Sequence, residues 1–165
     1  PLRLVGSEMC IRDSLGIVTG MVAGLGTITP ASGFVGPAGA LVIGLSAGVI
    51  CYYATQAIKQ RFHIDDSLDV FPVHGVGGML GTLLAGIFAS DQLGVFSGQG
   101  YNEGMNMASQ VSVQITGIIA TFAYTAVITY LLLKLIDNLL VLRVDEEDEI
   151  RGLDLVEHDE RGYDL

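Results

Sequence analysis

Cysteine and basic residues are both scarce in this chain. Cys10 and Cys51 are its two cysteines, too few and too poorly placed to set up a disulfide framework or a metal site. Eight Lys and Arg stand against 18 Asp and Glu, without the basic cluster that binding to nucleic acid or to an anionic lipid surface requires. Charge of either sign is sparse. It makes up 16% of the residues, where a soluble domain carries about a quarter.

The charges are also unevenly spread. Residues 145–165 hold ten acids against two arginines, a net of −8, and the preceding 144 residues hold only −2 of the formal −10. What fills the body instead is apolar: half of the 165 residues are hydrophobic, 22 are glycine, and mean hydropathy is +0.54. A nearly uncharged, glycine-rich body with an acidic end reads as an all-α bundle in a lipid bilayer with a solvated tail.

Residues 1–14 (PLRLVGSEMCIRDS) have scattered charge and no periodicity, and resemble a translated adaptor or vector scar. They are set aside as a leader unrelated to the fold, the other reading being a real cytoplasmic loop. Residues 15–143 form the expected membrane domain, and 144–165 the acidic tail.

Between Asp13 and Lys59 lie 45 residues without a formal charge. A crossing helix needs about 20 apolar residues, so this run is long enough for two. Thr29-Pro30-Ala31-Ser32-Gly33 is a turn signal, and Pro37 suits the first turn of the next helix. Spans are therefore expected near 15–28 and 35–58. A third charge-free run covers 70–90, and a fourth span runs from about 109 to 133, with helix continuing toward 142. The 59–66 connection carries Lys59 and Arg61, and the last span ends in Lys134 and Arg143. The 29–34 turn and the 91–108 loop have no Lys or Arg. Basic residues mark the cytoplasmic side, which puts the tail and the 59–66 loop inside.

In lipid, helices approach through small residues. Gly16, Gly20 and Gly24 repeat every four residues, as do Gly44 with Gly48 and Gly77 with Gly81. These are the expected packing positions. Gln110, Gln114, Gly117, Thr121 and Thr125 form a stripe expected to face the protein interior. Cys51 reads as a small apolar filler.

His74 is the residue that points to chemistry. It sits four positions inside an uncharged span, in DVFPVHGVGGMLG, where an ionisable side chain normally faces a partner or a cavity. Val70 and Phe71 lie one turn earlier on the same side. Gly75, Gly77, Gly78 and Gly81 follow and offer bare backbone. That setting suits the wall of a narrow hydrophobic channel, where imidazole can stay neutral and still relay a proton. It equally suits a histidine satisfied by a carbonyl between helices, and spacing leaves both readings open. His63 and His158 sit among charges and read as solvated. The glycines after His74 mimic a dinucleotide-binding loop, but no strand precedes them and no βαβ unit surrounds them. The sequence asks for no cofactor, no metal and no enzymatic nucleophile.

Three strings complete the reading: ITPASGFVGPAGALVIG, DDSLDVFPVHGVGGMLGTLLAGIFA and LRVDEEDEIRGLDLVEHDERGYDL. Together they resemble the C-terminal third of the ammonium transporter (Amt/Mep/Rh) family, from about residue 14 to 163. The resemblance implies the last four of eleven helices, a homotrimer with one pore per subunit in the cell (plasma or inner) membrane, and a cytoplasmic C-terminus. It implies that ammonium or ammonia passes a hydrophobic pore lined by two hydrogen-bonded histidines, His74 being the second. Val70, Phe71, Ile28 and Thr29 match positions along the pore. The tail matches a regulatory segment that works with PII-type proteins, with Gly152, Leu153, Asp154, Glu157, His158, Glu160 and Tyr163 at its motif positions. The partner histidine, the outer cation site and the phenyl gate belong to upstream helices, so this segment alone is not expected to conduct. Pro72 and Asp159 each stand where members commonly have glycine. Two other readings are a non-transporting sensor on the same fold and an unrelated glycine-rich transporter.

Overall fold

The computed structural model describes residues 16–64, 66, 68–140, 142 and 144–159. The leader expected at 1–14 lies outside them. The described residues are helical, with no strand among them. They fall into two units, Pro1–Ile119 and Ala120–Leu165, and each is treated by itself.

Four apolar helices appear in chain order: α1 (Gly16–Ala31), α2 (Pro37–Arg61), α3 (Phe71–Phe88) and α4 (Met107–Leu139). The last three are long and apolar enough to cross a membrane. Four spans were expected. At 1.5 Å per residue the described part of α1 is about 24 Å long, short of a hydrocarbon core of about 30 Å.

The boundaries follow local chemistry. α1 closes in a 3₁₀ turn, Thr29–Ala31, opened by Pro30, and Gly33 then takes φ +83. Pro37 occupies the first turn of α2, where its missing N–H leaves no gap. α2 ends in a π-helical turn, Ala57–Arg61, and α3 begins with another, Phe71–Val76. At the start of α3 the orphan amides of a helix terminus are accounted for in turn. Asp66 accepts Val70 N–H on Oδ1 and Phe71 N–H on Oδ2, each at 2.9 Å. Pro72 has no amide hydrogen, and Val73 N–H donates to Asp69 O at 3.0 Å.

The first unit packs α1, α2 and α3 in layers of small residues. Ala23, Cys51 and Val73 form one layer. Ala31, Ile43 and Ala85 form another, with Ile28, Val35, Leu84 and Phe88 against it. Such slim cores let backbones approach closely, which is what holds helices together in lipid. Between the layers α1 crosses α3 at Thr27, which fills the notch left by Gly77 and Gly81. The other glycines expected at helix contacts differ. A side chain at Gly16, Gly20, Gly24, Gly44 or Gly48 would meet open space within this chain. A four-residue period marks a smooth helix face but does not name the helix that covers it.

The loop after α3 fastens onto the α1–α2 turn. Gln99 N–H donates to Phe34 O at 2.9 Å, and Gly98 and Gly100 N–H donate to Ser90 O and Ala89 O, each at 2.7 Å. Tyr101 Oη donates to Gly86 O at 2.7 Å, answering a free carbonyl near the end of α3. The start of α4 packs on α3, where a Cβ on Gly86 would stand 3.1 Å from Gln114 Cγ. Gln110 and Gln114 are half-buried, whereas Gly117 and, in the second unit, Thr121 and Thr125 are exposed. Within this chain the stripe is covered only at its beginning.

The second unit holds the rest of α4 and two short helices, α5 (Glu146–Arg151) and α6 (Leu153–His158). Four acids in the first turn of α5 and Arg151 in its last both complement the helix dipole. Gly152 joins the two helices at φ +94.

Candidate functional site

α3 carries the candidates on its first turns. Val70 and Phe71 are 52% and 47% exposed, and His74, one turn later, is exposed beside them. Pro72 and Val73, on the opposite side of the same turn, are buried. An uncharged helix therefore turns two large apolar side chains and an imidazole outward together. Gly75 makes room for the aromatic ring. A Cβ there would stand 2.9 Å from Phe71 Cδ2 and 3.1 Å from Cε2, closer than carbon atoms pack.

α1 supplies the neighbouring wall. A Cβ on Gly26 would lie 3.9 Å from His74 Nδ1 and 3.8 Å from Val73 O, so the imidazole stands against bare backbone. Thr29, one turn further along α1, is exposed and donates its hydroxyl to Leu25 O at 2.7 Å. Ile28 is half-buried against the layer of Ala31, Ile43 and Ala85. The fold thus brings Val70, Phe71 and His74 onto one face, with α1 at its edge, and packs Ile28 into the bundle.

Behind this face lies a buried polar pair. Thr27 is fully buried. Its Oγ1 has no partner at ordinary hydrogen-bond geometry, and the Cys51 thiol is the polar group it leans on. A Cβ on Gly77 would stand 2.7 Å from Thr27 Oγ1 and 3.3 Å from Cys51 Sγ.

At the entrance to α3, Lys59 Nζ lies 2.8 Å from Asp69 Oδ1. The contact is ionic and poorly aligned for a hydrogen bond. Asp69 holds φ +55 and His63 φ +53, a left-handed backbone that Asp and His tolerate better than most residues. His63 is exposed, as is His158 on α6. A separate cavity of about 150 Å³, touched by Pro30, Phe34, Tyr101, Gln110 and Gln114, lies at the far end of α3, about 20 Å along the helix from His74.

In the tail, Gly152, Leu153, Asp154, Glu157 and His158 fall at and within α6. Glu160 and Tyr163 lie outside the described residues, as does the side chain of Asp154. Asp159 follows α6 at φ +51.

Three residues of the site escaped the sequence reading. Gly26 sits outside the four-residue glycine repeat that drew attention to Gly20 and Gly24. Asp66 carried a readable signal, an acid just ahead of an apolar run, which is a helix-start signature. Thr27 had none, because a threonine within an apolar helix is unremarkable until its neighbours are known.

Three apolar helices of spanning length, slim glycine-containing contacts and a histidine-bearing uncharged helix define an integral membrane protein. Its relatives name the family. The model of the Ammonium Transporter Family matches residues 11–163, and this chain belongs to that family. It is 39% identical over 149 residues to an ammonium transporter of Bacillus subtilis, covering 90% of this chain and 36% of that protein. It is 42% identical over 151 residues to ammonium transporter Amt1 of Archaeoglobus fulgidus, covering 91% and 37%. A solved structure described as a sensor Amt protein superposes with a TM-score of 0.75 at 33% identity, covering 87% of this chain and 34% of that one. The chain thus spans about a third of the length of these relatives.

Proposed function

We propose that this chain is the C-terminal part of a transporter that moves ammonium, as ammonia and a proton, across the cell membrane. The observation that carries the proposal is the exposed face of α3, where His74, Phe71 and Val70 stand together beside bare backbone at Gly26. His74 is the pore imidazole, Val70 and Phe71 line the path next to it, and Thr29 and Ile28 lie along its α1 side. The partner histidine comes from helices upstream of this segment.

The chemistry suits such a face. Ammonium and potassium are close in size and charge, so selection by charge alone would leak potassium. Moving a bare cation into a low-dielectric pore costs on the order of tens of kcal/mol. Ammonium can give up its proton and cross as neutral ammonia, and potassium cannot. An imidazole neutral near physiological pH is suited to handle that proton.

The proposal extends to the assembly. α1 makes the fourth crossing, α5 and α6 belong to a cytoplasmic regulatory tail read by a PII-type partner, and the full-length protein is a homotrimer. No residue of α4 is buried, and Leu41, Leu45 and Val49 make an exposed apolar stripe on α2. Such faces fit contact with lipid, upstream helices or neighbouring subunits. Methylammonium uptake by the full-length transporter that contains this segment, with and without His74→Ala, tests the reading. Uptake that falls, or that loses selectivity over potassium, is expected. Unchanged flux and selectivity in a well-inserted variant would remove His74 from the pore.

A second reading has one observation in its favour, the similarity to the sensor Amt structure. A sensor binds ammonium and changes a partner's activity without flux through liposomes, so a flux assay on purified protein separates the two.

A further inference from the structure

We propose that Thr27 is a positioning residue for His74: wedged into the Gly77–Gly81 notch of α3, it sets where the imidazole stands against α1. The proposal rests on the transport reading.

Two adjacent residues of α1 touch α3 on either side of the histidine's turn. Gly26 faces His74 Nδ1, and Thr27 faces the notch. The Thr27 side chain takes the space of a Gly77 side chain, with Oγ1 2.7 Å from where its Cβ would be. The Thr27 carbonyl does the same at Gly81, and a Cβ there would collide with that backbone oxygen. Gly77 is three residues after His74, one turn along the same helix. Any slide or roll of α3 on Thr27 therefore carries the imidazole with it.

The polar chemistry of Thr27 points the same way. Its hydroxyl is fully buried without a well-aligned partner, an arrangement that costs stability. What the residue contributes is shape: branching at Cβ restricts χ1 in a helix to two main rotamers for threonine, and the packed walls around Thr27 leave it little room to move between them. Cys51 and Ala23 close the pocket around it, so the wedge has one seat.

The test uses methylammonium uptake and its pH profile in the full-length transporter, with membrane abundance measured alongside. Thr27→Val keeps the wedge without the hydroxyl and is expected to match the unsubstituted protein. Thr27→Ala removes the wedge, and is expected to displace the pH profile and to lower uptake by about tenfold, less than the roughly hundredfold loss that a misplacement of about 1 Å can cause. Gly77→Ala is expected to lower uptake similarly, and Thr27→Ala added to it to restore uptake to within about threefold by freeing the space. Thr27→Ala is not expected to restore Gly81→Ala, because there the obstacle is backbone.

An unaltered rate and pH profile in Thr27→Ala overturns the proposal. So does rescue of both glycine variants or of neither. Should the unsubstituted protein move no methylammonium, the transport reading falls and this assignment falls with it.

Discussion

Asp66 and Phe71 are joined by a 2.9 Å hydrogen bond from the Phe71 amide to Asp66 Oδ2, while the other carboxylate oxygen holds Val70 at the same distance. One carboxylate therefore fixes the two backbone positions from which the candidate pore side chains project. The site is organised from the helix end inward.

Removing that cap has a defined cost. Asp66→Ala is expected to destabilise the protein by about 1–2 kcal/mol, the range for losing a helix N-cap. Asp66→Asn keeps one accepting oxygen and is expected to cost about half as much. Thermal unfolding in detergent is the measurement, and equal loss in both variants would mean that charge rather than hydrogen bonding matters.

Gly26→Ala and Gly81→Ala separate two kinds of glycine. A methyl at Gly26 meets His74 Nδ1 and Val73 O at ordinary contact distances, so the fold is expected to accept it within about 0.5 kcal/mol. A methyl at Gly81 runs into the Thr27 carbonyl, and overpacking of that kind costs about 1–3 kcal/mol. Folded yield and melting temperature check both. Similar behaviour of the two variants would argue against the crossing described here.

Gly75→Ala is expected to act on the ring rather than on the fold. The new methyl would press on Phe71 Cδ2, and the ring must turn away to admit it. In the full-length transporter this is expected to change methylammonium uptake by several-fold, in keeping with the cost of small misplacements near a reacting group, with little loss of membrane abundance. An unchanged rate would place Phe71 off the path.

The Lys59–Asp69 pair is expected to be weak. Its lysine side chain is 39% exposed, so Lys59→Met should cost less than about 1 kcal/mol. Whatever the loss is, it should shrink in 1 M salt, where screening acts over about 3 Å. A large, salt-independent loss would show that Lys59 does more than pair with Asp69.

Asp159→Gly tests the end of the tail. Asp159 follows α6 with φ +51, the left-handed position at which helices commonly stop on glycine. Glycine there is expected to slow amide exchange through Leu153–His158, with a gain of about 1 kcal/mol from relieved backbone strain. Faster exchange would mean that the aspartate side chain itself supports the tail.

Helix existence was legible because charge is excluded from lipid. The charge-free runs put spans near 35–58, 70–90 and 109–133, and the helices are Pro37–Arg61, Phe71–Phe88 and Met107–Leu139. The ends drifted where backbone pairing, rather than hydropathy, sets the boundary, as in the π-helical turns at Ala57–Arg61 and Phe71–Val76. α5 and α6 were invisible to a reading built on apolar runs. The cluster of Val70, Phe71 and His74 on one face follows from helical spacing alone. Its second wall did not, because contact between helices is decided by which residues are small at the crossing. Gly77 and Gly81 were visible as a notch, but nothing in the local sequence said that Thr27 fills it.

The wide turn at Phe71–Val76 amounts to one residue spliced into an ordinary α-helix. Were the same residues wound as an ordinary α-helix, the two halves of α3 would be turned by about 100° relative to each other. Gly77 and Gly81 could stay seated on Thr27 while the imidazole rotated off its side of α1. The splice thus acts as a fixed angular offset between the part of α3 that grips its neighbour and the part that presents His74.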